Sequence, residues 1–205
     1  MIKDVTERHL SATTRTALKE WAVACEALGR GDQIVLLRKG GISEAGKHFR
    51  IQHPEFLLFP TFEHQRADLM KESARAELEA VLASRGAPDQ VEFRYWATVA
   101  DVFDVLEAAE LRALAPLYLW SDDYAQERLR WKPRHPLQVM ALRVYALPRP
   151  ASIPVLPAYG GCTSWLTLAE PVSVAGARPV LDDGAFAEQL GRVRHAVGRT
   201  VEVAR

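Results

Sequence analysis

A period-two pattern between residues 91 and 99 constrains the fold more than any other feature of the sequence. Val91, Phe93, Tyr95, Ala97 and Val99 alternate there with Glu92, Arg94, Trp96 and Thr98. Successive side chains of a β-strand point to opposite faces of a sheet, so this pattern predicts a strand.

Other segments predict further strands and helices, but the two kinds do not alternate regularly. Apolar runs predict strands at 34–37, 56–59, 137–147 and 164–168, the first two as a hairpin-like pair, with an extended proline loop at 148–157 and an edge strand at 200–203. Helical spacing and capping residues predict helices beginning between Thr13 and Thr16, and at 66–84, 108–114, 121–130 and 183–197. The expectation is an α+β fold with a small mixed or antiparallel sheet. It forms a single domain over 13–205, after a flexible N-terminus at 1–12.

Charge and cysteine content narrow the classes of function. Lys plus Arg and Asp plus Glu both number 26, which argues against a broad, non-specific grip on nucleic-acid phosphates. A local basic patch remains compatible with that balance. The chain has two cysteines, Cys25 and Cys162, in no CxxC pair, and no apolar run that would serve as a signal peptide or membrane span. We therefore expect a cytoplasmic protein with structural cysteines.

Several familiar catalytic motifs are missing from the sequence. It contains no phosphate-binding loop of the G-x-x-x-x-G-K-S/T type, no G-x-G-x-x-G and no G-x-S-x-G. The 6 histidines are scattered without zinc-ligand spacing. We expect no metal site and no cofactor.

Residues 38–41 are the first candidate for ligand binding. Arg38 and Lys39 end a predicted buried strand, and Gly40 and Gly41 would let an anion approach the backbone. The alternative is a plain turn with solvated charges, because the strand aims Arg38 and Lys39 to opposite sides.

Residues 59–65 are the second candidate. Glu63 and His64 would form an acid/base pair, since histidine titrates near neutrality. The alternative is structural: Thr61 caps the following helix, and Glu63 complements its positive N-terminus. The two roles are compatible.

The most basic and aromatic stretch is the third candidate. It comprises Tyr124, Arg128, Arg130, Trp131, Lys132, Arg134 and His135. Aromatic faces stack on bases and cations hold phosphates, so this stretch favours nucleic-acid binding. The alternative is a helix end with cations suited to its dipole and Trp131 packed in the core. Arg143, the charged residue of strand 137–147, completes the candidate set.

Residues 88–94 are similar to the two halves of a metal-dependent nuclease site. Asp89 and Glu92 are almost consecutive, however, and Arg94 replaces the usual lysine, so a surface ion pair between Glu92 and Arg94 is the simpler interpretation. A metal-dependent phosphodiesterase using Glu20, Glu63 and Glu92 remains the enzymatic alternative.

Residues 17–22, 34–42 and 59–65 resemble a bacterial family catalogued as domain of unknown function 1802. The segments 131–133, 143–145 and 161–165 are similar to the same family, and the likeness covers about Ala17 to Leu168. The order of elements also resembles the ASCH and EVE branch of the PUA-like barrels. That resemblance implies a small β-barrel that binds RNA or modified bases. Of the entry motif of ASCH-type amidohydrolases only Arg38 is kept, so their chemistry is not implied.

Together these features predict a nucleic-acid- or nucleotide-associated binding domain that recognises RNA or single-stranded nucleic acid. The expected ligand-binding residues are Arg38, Lys39, Gly40, Gly41, Arg128, Trp131, Lys132 and Arg143, with Glu63 and His64 as candidate catalytic residues. A protein-interaction module is the third alternative.

Overall fold

The computed structural model describes residues 12–39, 53–63, 65–131, 133, 135–161 and 163–198. The predicted edge strand at 200–203 and the N-terminal segment up to residue 11 lie outside these ranges. Within the described part of the chain, no helix combines the length and the apolar character needed to span a membrane.

The strands form one mixed sheet. They are β1 (Thr13–Trp21), β2 (Val35–Arg38), β3 (Glu55–Thr61), β4 (Gln90–Val105), β5 (Leu137–Pro154), β6 (Trp165–Ser173) and β7 (Arg178–Pro179). Their order is β2-β5-β4-β3-β1-β6, with β7 beside β5. β1 and β3 are parallel, and the other pairs are antiparallel. The α+β class and the mixed sheet are thus confirmed, and the described strands do not close into a barrel.

Five α-helices accompany the sheet in the described ranges. They are α1 (Ala22–Arg30), α2 (Arg75–Ala83), α3 (Ala108–Leu114), α4 (Asp122–Arg130) and α5 (Asp183–Ala196). The Ser121 hydroxyl accepts the Tyr124 N–H at 3.2 Å and caps α4 as predicted. The carboxylate that caps α5 belongs to Asp182, which accepts the Ala185 N–H at 2.8 Å.

The first predicted helix was wrong in its first half. Residues 13–21 are strand β1, which is hydrogen-bonded between β3 and β6, and the helix begins only at Ala22. Three threonines at 13, 14 and 16 favour a strand, because β-branched side chains lose rotamer freedom in a helix. The helix ends at Gly31, whose φ of 76° lies in the left-handed region that favours glycine.

Three other expectations were wrong. The strands at 34–37 and 56–59 do not pair, because β2 lies on β5 whereas β3 lies between β4 and β1. The helix over 66–84 is two 3₁₀ turns followed by the shorter α2. The proline loop at 148–157 is largely strand: β5 runs to Pro154, paired there with β4 alone, where proline's missing N–H is tolerated.

The sheet is curved, so that β2 at one end of the order shares a core with β1, the last strand but one at the other end. One buried cluster contains Leu18 of β1, Leu36 of β2, Phe56 of β3 and Met140 of β5. The guanidinium of Arg38, at the end of β2, donates from Nη2 to the backbone oxygen of Lys19 in β1 at 2.8 Å. This curvature brings the end of β2 against the end of β1, where the candidate site lies.

Candidate functional site

Glu20 lies at the centre of a polar region where β1 passes into α1. Its side chain is 9% exposed, and Oε1 accepts the Trp21 N–H at 2.8 Å. Oε2 lies 3.6 Å from Nη2 of Arg38. A carboxylate at this point neutralises the positive N-terminus of α1 and the buried guanidinium together.

The segment that follows β3 is tied to the same helix start. The Thr61 hydroxyl donates to the Glu20 backbone oxygen at 3.2 Å. The alternative in which Thr61 caps the following helix is therefore wrong. Gln65 accepts the Val23 N–H through Oε1 at 3.4 Å and donates from Nε2 to Thr61 O at 3.0 Å. Glu63 is exposed between these two residues. His64 lies outside the described residues.

Arg38 and Lys39 point to different partners, as their positions on the strand predict, and neither is a solvated turn charge. Arg38 is directed at β1, whereas Lys39 is 7% exposed and donates from Nζ to the Leu129 oxygen at 2.6 Å. Leu129 belongs to the last turn of α4, where a cation is stabilised by the helix dipole. Burial lowers the pKa of Lys39. Both cations therefore hold α4 and β1 in position.

The end of α4 carries a stack of cationic and aromatic groups. Arg128 donates from Nε to the Tyr124 hydroxyl at 2.9 Å, and its guanidinium carbon lies 5.3 Å from the Tyr124 ring centre and 5.8 Å from that of Trp131. Both distances are within the range of cation–π attraction. Trp131 is 47% exposed, so the alternative in which it packs in the core was wrong.

Tyr124 connects this stack to Glu20 and Arg38. Its ring lies 5.0 Å from Trp120 and 6.5 Å from Trp21, which precedes α1. Burial raises the pKa of Tyr124, the nearby Arg128 opposes that rise, and the charges of Glu20 and Arg38 also act on the phenol. Through Tyr124, the side chains of α4 and the end of β1 therefore form one contiguous unit.

We call this unit the polar junction, defined by Glu20, Arg38, Lys39, Thr61, Gln65, Tyr124, Arg128 and Trp131. It brings together Arg38, Lys39, Arg128 and Trp131 from the predicted ligand-binding set. Arg143 is not part of it, because its Nη2 lies 2.7 Å from Asp183 Oδ1 and its guanidinium packs 4.6 Å from the Phe186 ring of α5. Gly40, Gly41 and Lys132 lie outside the described residues.

The structure does not gather Glu20, Glu63 and Glu92 as metal ligands. Glu92 lies 2.6 Å from Arg94, so the predicted surface ion pair is confirmed. Across the described part of the chain, no group of three or more His, Cys, Asp and Glu side chains is placed to hold a metal ion.

A second feature, which the sequence reasoning missed, is an open cleft of about 970 Å³ next to the polar junction. Its walls come from residues 58–61 of β3, residues 90–95 of β4, helix α2 and the segment 152–161. Tyr95 donates its hydroxyl to Glu26 at 2.9 Å on one side. Burial, and then the charge of Glu26, raises the pKa of Tyr95 to about 12.

The raised pKa of Tyr95 predicts a loss of stability in alkali. A folded-state pKa above the unfolded value of 10.0 favours the protonated phenol in the folded chain. This contribution is complete below pH 10.0 and is lost as the pH rises towards about 12. Urea unfolding at pH 9 and pH 11 should show that Tyr95→Phe weakens the pH dependence. An unchanged dependence in the variant would assign the alkaline loss elsewhere, first to Tyr118, whose pKa burial also raises to about 12.

The curved mixed sheet, its flanking helices and the polar junction define an α+β protein with a half-buried charged and aromatic site. A family model matches residues 17–192, and the chain belongs to that family, described as domain of unknown function DUF1802. This confirms the first resemblance seen in the sequence. Comparison with curated proteins and with solved structures finds no match. The PUA-like likeness stays a prediction.

Proposed function

We propose that this protein binds single-stranded nucleic acid, RNA in particular, through residues 128–135 at the C-terminal end of α4. The observation that carries the proposal is the exposure of Trp131, 47% of whose surface is open to solvent beside the Arg128 guanidinium. An indole in this setting offers a face on which a base stacks, while the adjacent cation holds a phosphate.

Local charge supports the proposal. Residues 128–135 carry four cations (Arg128, Arg130, Lys132 and Arg134) and no carboxylate, in a chain whose net charge is zero. A cluster of this kind attracts a phosphate backbone although the whole protein is neutral. The concentration of cations beside an exposed tryptophan favours nucleic acid over an uncharged ligand.

The rest of the polar junction has a supporting role in this proposal. Arg38 and Lys39 are engaged by the protein itself, so they fix α4 against β1 rather than contact phosphate. We assign the protein to the cytoplasm, which agrees with the free buried thiol of Cys25.

Replacing Trp131 with Ala should weaken binding of single-stranded nucleic acid about tenfold, because stacking contributes roughly 1–3 kcal/mol per base. Fluorescence anisotropy with labelled 12-nucleotide oligo(U) and oligo(dT), at 50 and 200 mM salt, measures the loss. Trp131→Phe keeps a stacking face and is the matched control, with affinity close to the parent. Arg130→Ala should weaken binding on all sequences and lower the salt slope by about one.

Other outcomes would support different functions. Absence of salt-dependent binding to either oligonucleotide would overturn the proposal and leave a protein-interaction module. Cleavage that requires Mg²⁺ or Mn²⁺ would support the phosphodiesterase alternative, with Glu63→Gln as its test.

A further inference from the structure

The cleft lies where two neighbouring strands of the sheet separate. β3 and β4 are paired from Glu55↔Thr98 to Leu57↔Trp96, and the ladder ends there. The following residues of β3, 58–61, and residues 90–95 of β4 lie on facing walls of the cleft instead of pairing with each other. Both strands remain extended and paired on their outer sides, β3 with β1 and β4 with β5.

The sequence itself causes the separation. Pro60 has no backbone N–H, so β3 cannot continue a regular ladder with β4. On the other wall, the register between β4 and β5 shifts between Phe93 and Tyr95, and such irregularities bend a strand away from its neighbour. The cleft is therefore an open slot in the sheet, with strand edges on both sides.

The lining of the slot is apolar at its base and mixed in charge at its rim. Phe59, Phe62, Val81 and Val155 contribute apolar surface. Among the described residues, the charged ones that line the slot are four carboxylates and three cations: Glu26, Glu63, Glu77, Glu92, Lys19, Arg85 and Arg94.

Most of the slot's carboxylates already have partners. Glu77 lies 2.6 Å from Arg30, Glu92 lies 2.6 Å from Arg94, and Glu26 accepts the Tyr95 hydroxyl. Because carboxylates and cations nearly balance at the rim, it does not attract a polyanion. The polar rim and apolar base together match a peptide, whose main chain is neutral and polar and whose side chains can be apolar.

We propose that this slot binds an extended polypeptide segment, which pairs with the β4 edge at residues 90–95. About five residues of peptide span that edge at roughly 3.3 Å per residue. Main-chain hydrogen bonds to β4 give the affinity, and apolar side chains at alternate positions of the peptide contact the base of the slot. The proposal does not depend on nucleic-acid binding, because none of the described residues among 128–135 lines the slot.

The test uses a phage-displayed library of random linear 12-residue peptides, selected on the full chain. Enriched sequences should alternate apolar and polar residues, and a fluorescein-labelled synthetic copy should bind in anisotropy measurements. Ala80→Trp places an indole in the slot from α2 and should weaken binding at least tenfold. Ala76→Trp is the matched control, since Ala76 is exposed on the same helix but does not line the slot.

A second measurement separates strand pairing from simple burial. Bound peptide should slow hydrogen exchange of backbone amides within residues 90–95.

Trp131→Ala should leave peptide binding unchanged, and oligo(U) should not compete with the peptide. The proposal is overturned if no peptide is enriched, if Ala80→Trp binds as well as Ala76→Trp, or if the amides at 90–95 stay unprotected. The proposal is also overturned if 8-anilinonaphthalene-1-sulfonate binds to the protein but no peptide does, because the site would then take only small apolar ligands.

Discussion

Replacing Arg38 with Met should lower the free energy of unfolding by about 3 kcal/mol, the scale expected when one partner of a buried ion pair is removed. The side chains of Arg38 and Glu20 are only 16% and 9% exposed, so the remaining carboxylate would be left in a poorly solvated site. The variant also loses the hydrogen bond from Nη2 to the Lys19 oxygen, which joins β2 to β1. Both losses act on the folded state.

Urea unfolding followed by tryptophan fluorescence measures this change. Arg94→Met is the matched control, because the Arg94–Glu92 pair has the same residue types but side chains 55% and 45% exposed. Its cost should stay below about 1 kcal/mol. Adding Glu20→Gln to Arg38→Met should recover part of the lost stability, since it removes the uncompensated charge. Equal costs for the two arginines would show that the buried pair is not important for the fold.

Because Arg38 has this structural role, lost nucleic-acid binding in an Arg38 variant has a structural explanation. A variant that displaces β2 from β1 also displaces Lys39, and Lys39 holds the last turn of α4 through the Leu129 oxygen. Loss of binding in Arg38→Ala would therefore not identify a phosphate contact. Trp131 and Arg130, which are exposed at the end of α4, give the cleaner test.

Elements that are marked by neighbouring residues, such as alternating strands and capped helices, were predicted correctly from the sequence. The alternation at 91–99 lies in β4, the helix at 108–114 has the bounds of α3, and Ser121 caps α4 as expected. Strand partners could not be predicted in this way. An apolar run such as 34–37 indicates burial, but it carries no information on which strand lies beside it.

The misassigned segment 13–28 shows why a pattern can mark the core correctly and the element wrongly. Leu18, Cys25 and Leu28 follow one another at helical spacing, and all three lie in the same buried cluster. Leu18, however, is in β1, while Cys25 and Leu28 are in α1. The chain changes from strand to helix at Trp21, and both elements face one core, so the spacing continues across the boundary.

The candidate site was predictable in its charged and aromatic residues but not in its connections. Arg38, Lys39, Arg128 and Trp131 stand out because cations and aromatic side chains cluster near predicted element ends. Thr61 and Gln65 were missed as contact residues, since their bonds to Glu20 and Val23 join segments about forty positions apart. Parallel pairing of β1 with β3 creates those contacts, and no short stretch of sequence records which strands pair.

Trp96 gives the sharpest contrast between the alternating pattern and the structure. Strict alternation groups Trp96 with Glu92 and Arg94, both of which are exposed. In the structure Trp96 is only 1% exposed and shares a buried cluster with Phe93, three positions earlier. The register shift between Phe93 and Tyr95 rotates the chain and brings both aromatic side chains into one core.

Trp96→Ala should therefore lower the free energy of unfolding by about 4 kcal/mol, the cost of removing a fully buried aromatic side chain and leaving a cavity. Contact with the Tyr145 ring, 4.9 Å away between ring centres, would also be lost. Tyr95→Ala should cost less, because Tyr95 is half-buried and lines the open cleft. Glu92→Ala, at an exposed position of the same strand, should stay within about 0.5 kcal/mol of the parent. If Tyr95→Ala instead lowered the free energy of unfolding more than Trp96→Ala, the regular alternation would describe β4 better than the register shift. The strand edge proposed to bind peptide would then present different backbone groups to the slot.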